Sequence, residues 1–154
     1  MTTEPHLASA PQPATRPRSL EVPIGPVTLQ MRLGDTDALL ERLIEDDGDD
    51  RFLPYWSDIW PSARALACEL MRQPQRVAGM QVFELGAGLG LGSIASELAG
   101  ARKVIAGDLH PEALDVLRSN AESNGAGRLL DLMPFDWRQG VVPPGTDLLI
   151  GADI

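Results

Sequence analysis

The sequence has little of what exported, membrane-spanning or nucleic-acid-binding proteins need. Its one cysteine, Cys68, cannot form an internal disulfide, so we expect a reducing compartment, the cytoplasm. No apolar run approaches the roughly 20 residues that cross a bilayer, which argues against membrane insertion. Basic residues number 13 against 22 acidic ones, a formal charge of -9, and this deficit disfavours nucleic acid as a partner.

The first 19 residues lack the apolar segment of a secretory signal. They contain four prolines and few side chains that could join a core, so we predict a disordered tail over residues 1–19. Two arginines with few acids, Arg16 and Arg18, leave a mitochondrial presequence as an alternative.

Residues 20–76 are predicted to form an extension of short elements. The segment LEVPIGPVTLQMRL indicates one or two short strands, with a hairpin as one arrangement. DTDALLERLIEDD indicates a helix with Asp35 or Thr36 as its N-cap, and a second helix is expected from Ser62 onward. The acidic run at residues 45–50 lacks the alternating ligands of an EF-hand loop, so we expect a solvated turn and no metal site.

Aromatic residues are scarce, at 5% of the chain, yet Tyr55, Trp56 and Trp60 fall within six residues. This concentration has two interpretations: the tryptophans cap the core, or the aromatic rings wall a ligand pocket.

Residues 77–154 alternate apolar runs with segments of helical period. Strands are predicted at 80–85 and 103–107, in RLLDLMPFD and in DLLIGADI, with helices over 93–99 and 111–125. This alternation is typical of the α/β class, here a Rossmann-like parallel sheet with helices on both faces. Ligands bind at the carboxyl ends of such strands, and the glycines of VFELGAGLGLGS lie at the first of these ends.

The glycine segment can be compared with the dinucleotide-binding pattern G-x-G-x-x-G/A. Gly86 and Gly88 fit its first two positions, but the third position is a leucine. A shifted register of Gly90, Gly92 and Ala95 satisfies the pattern, yet it leaves the first two glycines without a role. An NAD(P)-dependent oxidoreductase therefore remains the alternative function.

Two carboxylates flank the glycines. Glu84, two residues before Gly86, would repel a pyrophosphate but would suit a cationic ligand. S-adenosyl-L-methionine carries a sulfonium and an ammonium group and no phosphate, so the charge favours this cofactor. Asp108 ends the second strand, where a carboxylate can accept both ribose hydroxyls, a feature that both cofactors share.

Later polar residues extend the predicted site. Asp136 and Trp137 close the third strand, where they suit an adenine amino group and ring face, and Asp153 closes the fourth strand beside the expected transfer centre. His110 follows the second strand, and we interpret it as a neighbour of a helix cap rather than a catalytic residue.

Together, these segments resemble a known family. FELGAGLGLGS, GDLHPEAL, FDW and GADI, preceded by PYWSDIWPSARALA, are similar to the class I, seven-strand S-adenosylmethionine-dependent methyltransferases. Within that superfamily the chain is most similar to the protein-lysine branch often called methyltransferase family 16, particularly the part that contains the electron-transfer-flavoprotein beta-subunit lysine methyltransferase. The resemblance covers about residues 27–154 and implies N-methylation of a protein lysine or a small-molecule amine.

The resemblance also implies roles for individual residues. Asp153 is the candidate for positioning the substrate amine. The cofactor-binding residues that we expect are Trp60, Glu84, Gly86, Gly88, Gly90, Asp108, Leu109, Asp136 and Trp137.

The family fold orders its strands 3-2-1-4-5-7-6, and the present sequence supplies the first four, in the order 3-2-1-4. We therefore expect a C-terminally truncated half-domain with reduced or no activity by itself, whose fourth strand is an apolar edge. A non-catalytic fragment that binds a cofactor or a partner is the third hypothesis.

Overall fold

The computed structural model describes residues 18–45 and 53–154. Residues 1–17 of the predicted tail and residues 46–50 of the acidic run lie outside this part of the chain. Across the two described ranges, no helix combines the length and the apolar character that crossing a bilayer requires.

The described chain begins with an antiparallel hairpin. Strand β1 (Ser19–Ile24) pairs with β2 (Val27–Arg32), and the turn between them is Gly25 and Pro26. Gly25 has φ of +71°, which a two-residue hairpin turn requires at its first position and which glycine adopts without strain. The predicted strands are thus a separate two-stranded sheet whose alternate residues are buried.

Two helices follow the hairpin. Helix α1 spans Thr36–Glu45, and the Asp35 carboxylate accepts the N–H of Ala38, so Asp35 is its N-cap. After a short 3-10 turn at Tyr55–Ser57, helix α2 spans Pro61–Arg72 and starts with proline at its first position.

The main sheet has four parallel strands in the order β5-β4-β3-β6. Its strands are β3 (Gln81–Leu85), β4 (Lys103–Asp108), β5 (Leu130–Pro134) and β6 (Leu148–Gly151), and its crossover helices are α3 (Leu91–Leu98) and α4 (Pro111–Ser123). In the family numbering this order is 3-2-1-4, so the predicted Rossmann-like sheet is confirmed.

The two crossover helices pack on one face of the sheet. Glu84 of β3 and Ala106 of β4 are register partners and therefore point to the same side. Helix α3 reaches Glu84 through Ser93, and α4 packs on Ala106 through Leu117. Both crossovers run in the same direction along the sheet, so right-handed connections put both helices on this face.

The opposite face differs from the expectation of helices on both faces. Phe83 points to it and is fully buried, with its ring edge-to-face on Phe135 at 5.1 Å between centroids. The cover is the irregular segment 135–147, which also accepts a hydrogen bond from the Gln81 amide at Pro144. Adjacent prolines and two glycines in this segment oppose a helix there.

Phe83→Ala is expected to lower the free energy of unfolding by about 3–5 kcal/mol, because it opens a cavity between the sheet and Phe135. Leu149→Ala is the matched control: Leu149 is the register partner of Phe83 on the same face but is 47% exposed, so we expect a loss below about 1 kcal/mol. Urea denaturation measures both, and equal losses would contradict this assignment of the buried face.

Candidate functional site

A cavity of about 370 Å³ opens at the carboxyl ends of β3, β4 and β6. In the described part of the chain, its lining residues come from segments 53–63, 86–91, 108–110 and 152–154. Parallel strands end on the same side of the sheet, so the loops that follow them meet there, and the aromatic segment before α2 closes the cavity.

The glycine loop between β3 and α3 forms the floor of the cavity. Gly86, Gly88 and Gly90 all line it and have φ values of +57°, +50° and +89°, a region that L side chains rarely adopt. A Cβ atom on Gly90 would also overlap the side chain of Leu117 in α4. Glycine at this position therefore serves both the turn and the close approach of α4.

Asp108 lies at the edge of the loop as the last residue of β4, with 5% of its surface exposed. Its Oδ2 accepts the N–H of Gly88 at 2.8 Å, and its Oδ1 accepts the N–H of His110 at 2.9 Å. A carboxylate has about four lone-pair sites, so each oxygen can accept one more hydrogen bond. The carboxylate is thus held in place and still able to accept a vicinal diol.

The aromatic segment fits both interpretations of its sequence, because it packs on the core and also walls the cavity. Trp56 is partly buried against the main core and also lines the cavity. Trp60 and Tyr55 remain 44% and 63% exposed at the cavity, in an edge-to-face pair at 6.2 Å. The Trp60 indole N–H donates to the Tyr55 carbonyl at 2.8 Å, which fixes the ring at the opening.

The charged side chains that line the cavity are mainly acidic. Asp58, Asp108 and Asp153 line it, and its lining residues from the described ranges include no lysine or arginine. A carboxylate triplet without a cationic side chain attracts a cation and disfavours a phosphate. Asp58 was not predicted from the sequence; its position between two tryptophans was the available signal.

Asp153 lies on the side of the cavity formed by the end of β6. It has φ of +53°, and its carboxylate accepts a hydrogen bond from the Ser62 hydroxyl at the start of α2. His110, which we had interpreted as a cap neighbour, occupies the N-cap position of α4 and also lines the cavity. Its ring lies 6.4 Å from that of Trp56, so it belongs to the cavity wall as well as to the helix start.

Glu84 lies beneath the glycine loop and is not among the cavity-lining residues. It is 3% exposed and accepts hydrogen bonds from the hydroxyl and backbone N–H of Ser93 in the first turn of α3. A Cβ on Gly92 would overlap its carboxylate, so that glycine allows the close approach. Burial, opposed by the Ser93 hydrogen bonds, raises the pKa of Glu84 to about 7.

The three remaining predicted residues lie outside the cavity lining. Leu109 is partly exposed beside Asp108, and Trp137 is largely exposed. The Arg138 guanidinium donates two hydrogen bonds to the Asp136 carboxylate, at 2.8 and 2.7 Å. Contacts of these residues with a cofactor stay predictions.

The raised pKa of Glu84 predicts a pH-dependent stability. The folded protein keeps this proton between about pH 4.5 and 7, whereas the unfolded chain loses it, so stability falls as the pH rises through that window. The expected loss is about 3 kcal/mol, and Glu84→Gln should abolish it. Urea denaturation at several pH values measures the slope; Asp115→Asn, on an exposed part of α4, should keep the wild-type slope. An unchanged slope in Glu84→Gln would contradict the assignment.

Comparisons with known proteins match this chain to lysine methyltransferases. The family model described as lysine methyltransferase matches residues 54–154. The electron transfer flavoprotein beta subunit lysine methyltransferase of Danio rerio is 41% identical over 76 residues, which are 49% of this chain and 30% of the relative. The protein N-terminal and lysine N-methyltransferase EFM7 of Cryptococcus neoformans is 40% identical over 114 residues, 66% of this chain and 38% of the relative. The chain thus spans about a third of the length of these relatives.

Solved structures give the same fold. A putative RNA methyltransferase from Pyrococcus horikoshii matches with a TM-score of 0.51 and 26% identity, over 62% of this chain and 48% of that one. A putative S-adenosylmethionine-dependent methyltransferase from Streptococcus mutans matches with a TM-score of 0.55 and 19% identity, over 79% of this chain and 27% of that one, and shows the fold alone. None of these matches supports the oxidoreductase alternative. Since the family model covers more than half of its residues, the chain belongs to the lysine methyltransferase family.

Proposed function

We propose that the cavity binds S-adenosyl-L-methionine and that the protein methylates the side-chain amine of a protein lysine. The observation that supports this choice of cofactor is the charge of the cavity: it is lined by three carboxylates and, among the described lining residues, by no lysine or arginine. A sulfonium and an ammonium group suit these carboxylates, whereas the two phosphates of a dinucleotide do not.

The residues present fit the ribose and the cationic methionine end of the cofactor. Asp108 keeps free lone pairs at the edge of the loop, as a ribose diol needs. Gly86 and Gly88 line the cavity with positive φ values, so glycine lets the loop backbone form the cavity surface without strain. Trp60 adds an aromatic surface at the opening, which favours a cation over its ring face.

S-adenosyl-L-methionine, when bound, would supply a methyl group activated by its sulfonium, which passes directly to a neutral amine nitrogen as S-adenosylhomocysteine leaves. The protein would contribute orientation and the exclusion of water rather than a covalent intermediate. Asp153, held by Ser62, would bind and orient the incoming amine, and Ile59 with Trp60 would keep water from the transfer centre.

A protein lysine is the acceptor that the relatives support, because both curated relatives described above are named lysine methyltransferases. The formal charge of -9 favours a basic protein segment over a nucleic acid. Exposed Tyr55 and Trp60 next to Asp58 would suit a lysine side chain, which has an apolar stem and a cationic end. A cytoplasmic location stays our prediction from the single cysteine.

Asp108→Asn should raise the Kd for S-adenosylhomocysteine about tenfold or more, because it replaces a charged acceptor of two ribose hydroxyls by an amide. Isothermal titration calorimetry measures the change, with the exposed Asp115→Asn variant expected to bind like the wild type. Binding of NADH by the wild type, without binding of S-adenosylmethionine or S-adenosylhomocysteine, would contradict the proposed cofactor.

Asp153→Asn should lower methyl transfer at least tenfold, since the residue acts on the amine, while the Kd for S-adenosylhomocysteine, which lacks the sulfonium charge, should stay within about twofold. Transfer from methyl-labelled cofactor is followed under single-turnover conditions with protein acceptors. Acid hydrolysis of the labelled acceptor should yield methyl-lysine. Label recovered in RNA, or only at protein N-termini, would contradict the proposed acceptor.

A further inference from the structure

The side chain of Asn120 in α4 is buried where three elements meet. It is 1% exposed, and its Oδ1 accepts the backbone N–H of Arg32 at 2.7 Å. Its Nδ2 donates to the carbonyl of Arg32 at 3.1 Å and to the carbonyl of Leu89 at 3.1 Å. One amide thus joins strand β2 of the hairpin, helix α4 and the glycine loop.

The contact with Leu89 reaches the floor of the cavity. Leu89 lies between Gly88 and Gly90 and lines the cavity. The peptide group that links Leu89 to Gly90 is held at both ends, because its carbonyl accepts from Asn120 and its N–H donates to the Ala87 carbonyl at 2.8 Å. The orientation of this peptide, and with it the shape of the floor, therefore depends on Asn120.

Asn124, one turn later in α4, makes the same contact with the hairpin but not with the loop. Its Oδ1 accepts the N–H of Gln30 at 2.8 Å, and its Nδ2 donates to the carbonyl of Gln30 at 2.9 Å. Its second donated hydrogen bond goes to the backbone carbonyl of Asn120 at 2.7 Å. A variant of Asn124 therefore loses a contact with the hairpin but no contact with the loop, and it serves as the control for Asn120.

We propose that Asn120 is a positioning residue for cofactor binding, acting by holding the Leu89 carbonyl and so pre-forming the glycine loop. The inference rests on the proposed function, because it takes the cavity above the loop as the cofactor site. A loop that loses this anchor samples other conformations, and a ligand must then order it on binding, which weakens the affinity.

The test compares Asn120→Ala with Asn124→Ala in the full chain. Both variants lose a two-bond contact with β2, and Asn120→Ala also loses the buried bond to Leu89, so we expect both to lower the melting temperature and Asn120→Ala to lower it more. Only Asn120→Ala releases Leu89, so amide hydrogen exchange in segment 86–92 should become at least about fivefold faster than in Asn124→Ala. The Kd for S-adenosylhomocysteine should also rise at least about fivefold more in Asn120→Ala than in Asn124→Ala, which is the size expected for one lost hydrogen bond.

Asn120→Asp provides a second variant of nearly the same shape. It keeps an acceptor for the N–H of Arg32 but loses the donor to the carbonyls of Arg32 and Leu89, so it should reproduce the faster exchange and the weaker binding. Equal exchange in segment 86–92 for the Asn120 and Asn124 variants would overturn the proposal. If the wild type bound no S-adenosylhomocysteine, the proposed function would fail by itself, and the exchange data would still decide whether Asn120 anchors the loop.

Discussion

The loop between β3 and α3 keeps its shape through hydrogen bonds that reach it from three directions. Asp108 of β4 holds the N–H of Gly88, Asn120 of α4 holds the carbonyl of Leu89, and Glu84 of β3 holds the first turn of α3 from below. A glycine-rich segment has more backbone freedom than any other kind, so without such anchors it would lose the most entropy on ordering. The cavity depends on these three side chains because they convert a flexible segment into a fixed floor.

The distribution of carboxylates decides which ligand suits this floor. Asp58, Asp108 and Asp153 come from three segments that are far apart in the sequence, yet all three line one cavity. Glu84, by contrast, is buried under the loop with a pKa of about 7, so its charge at neutral pH is partial and it faces α3. The preference for a cationic cofactor therefore rests on the cavity carboxylates rather than on Glu84, to which the sequence argument had assigned it.

The hairpin contributes to the same site at a distance. Strands β1 and β2 form a sheet of their own, and side chains from them join the core cluster that α2, α3 and the main sheet share. Two asparagines four residues apart bond the edge of β2 to α4, which satisfies backbone groups that an unpaired strand edge would leave open. The hairpin, which lies outside the matched residues 54–154, is thus tied to the glycine loop through α4.

The sequence by itself determined the repeating strands and helices, the glycine loop and the position of Asp108 at the end of its strand, and the family resemblance supplied the strand order. Apart from the strand order, these features depend on spacing along the chain, such as the apolar runs of β3 and β4 or the proline that opens α4, so local periodicity is enough to find them. Only the tertiary structure decided that Glu84 supports α3, that Asp58 joins the cavity and that segment 135–147 covers Phe83 without a helix. It also gave Asn120 its partners in β2 and the loop, 88 and 31 residues away in sequence. Such contacts depend on how right-handed crossovers bring distant segments together, and no local pattern encodes the partner of a polar side chain.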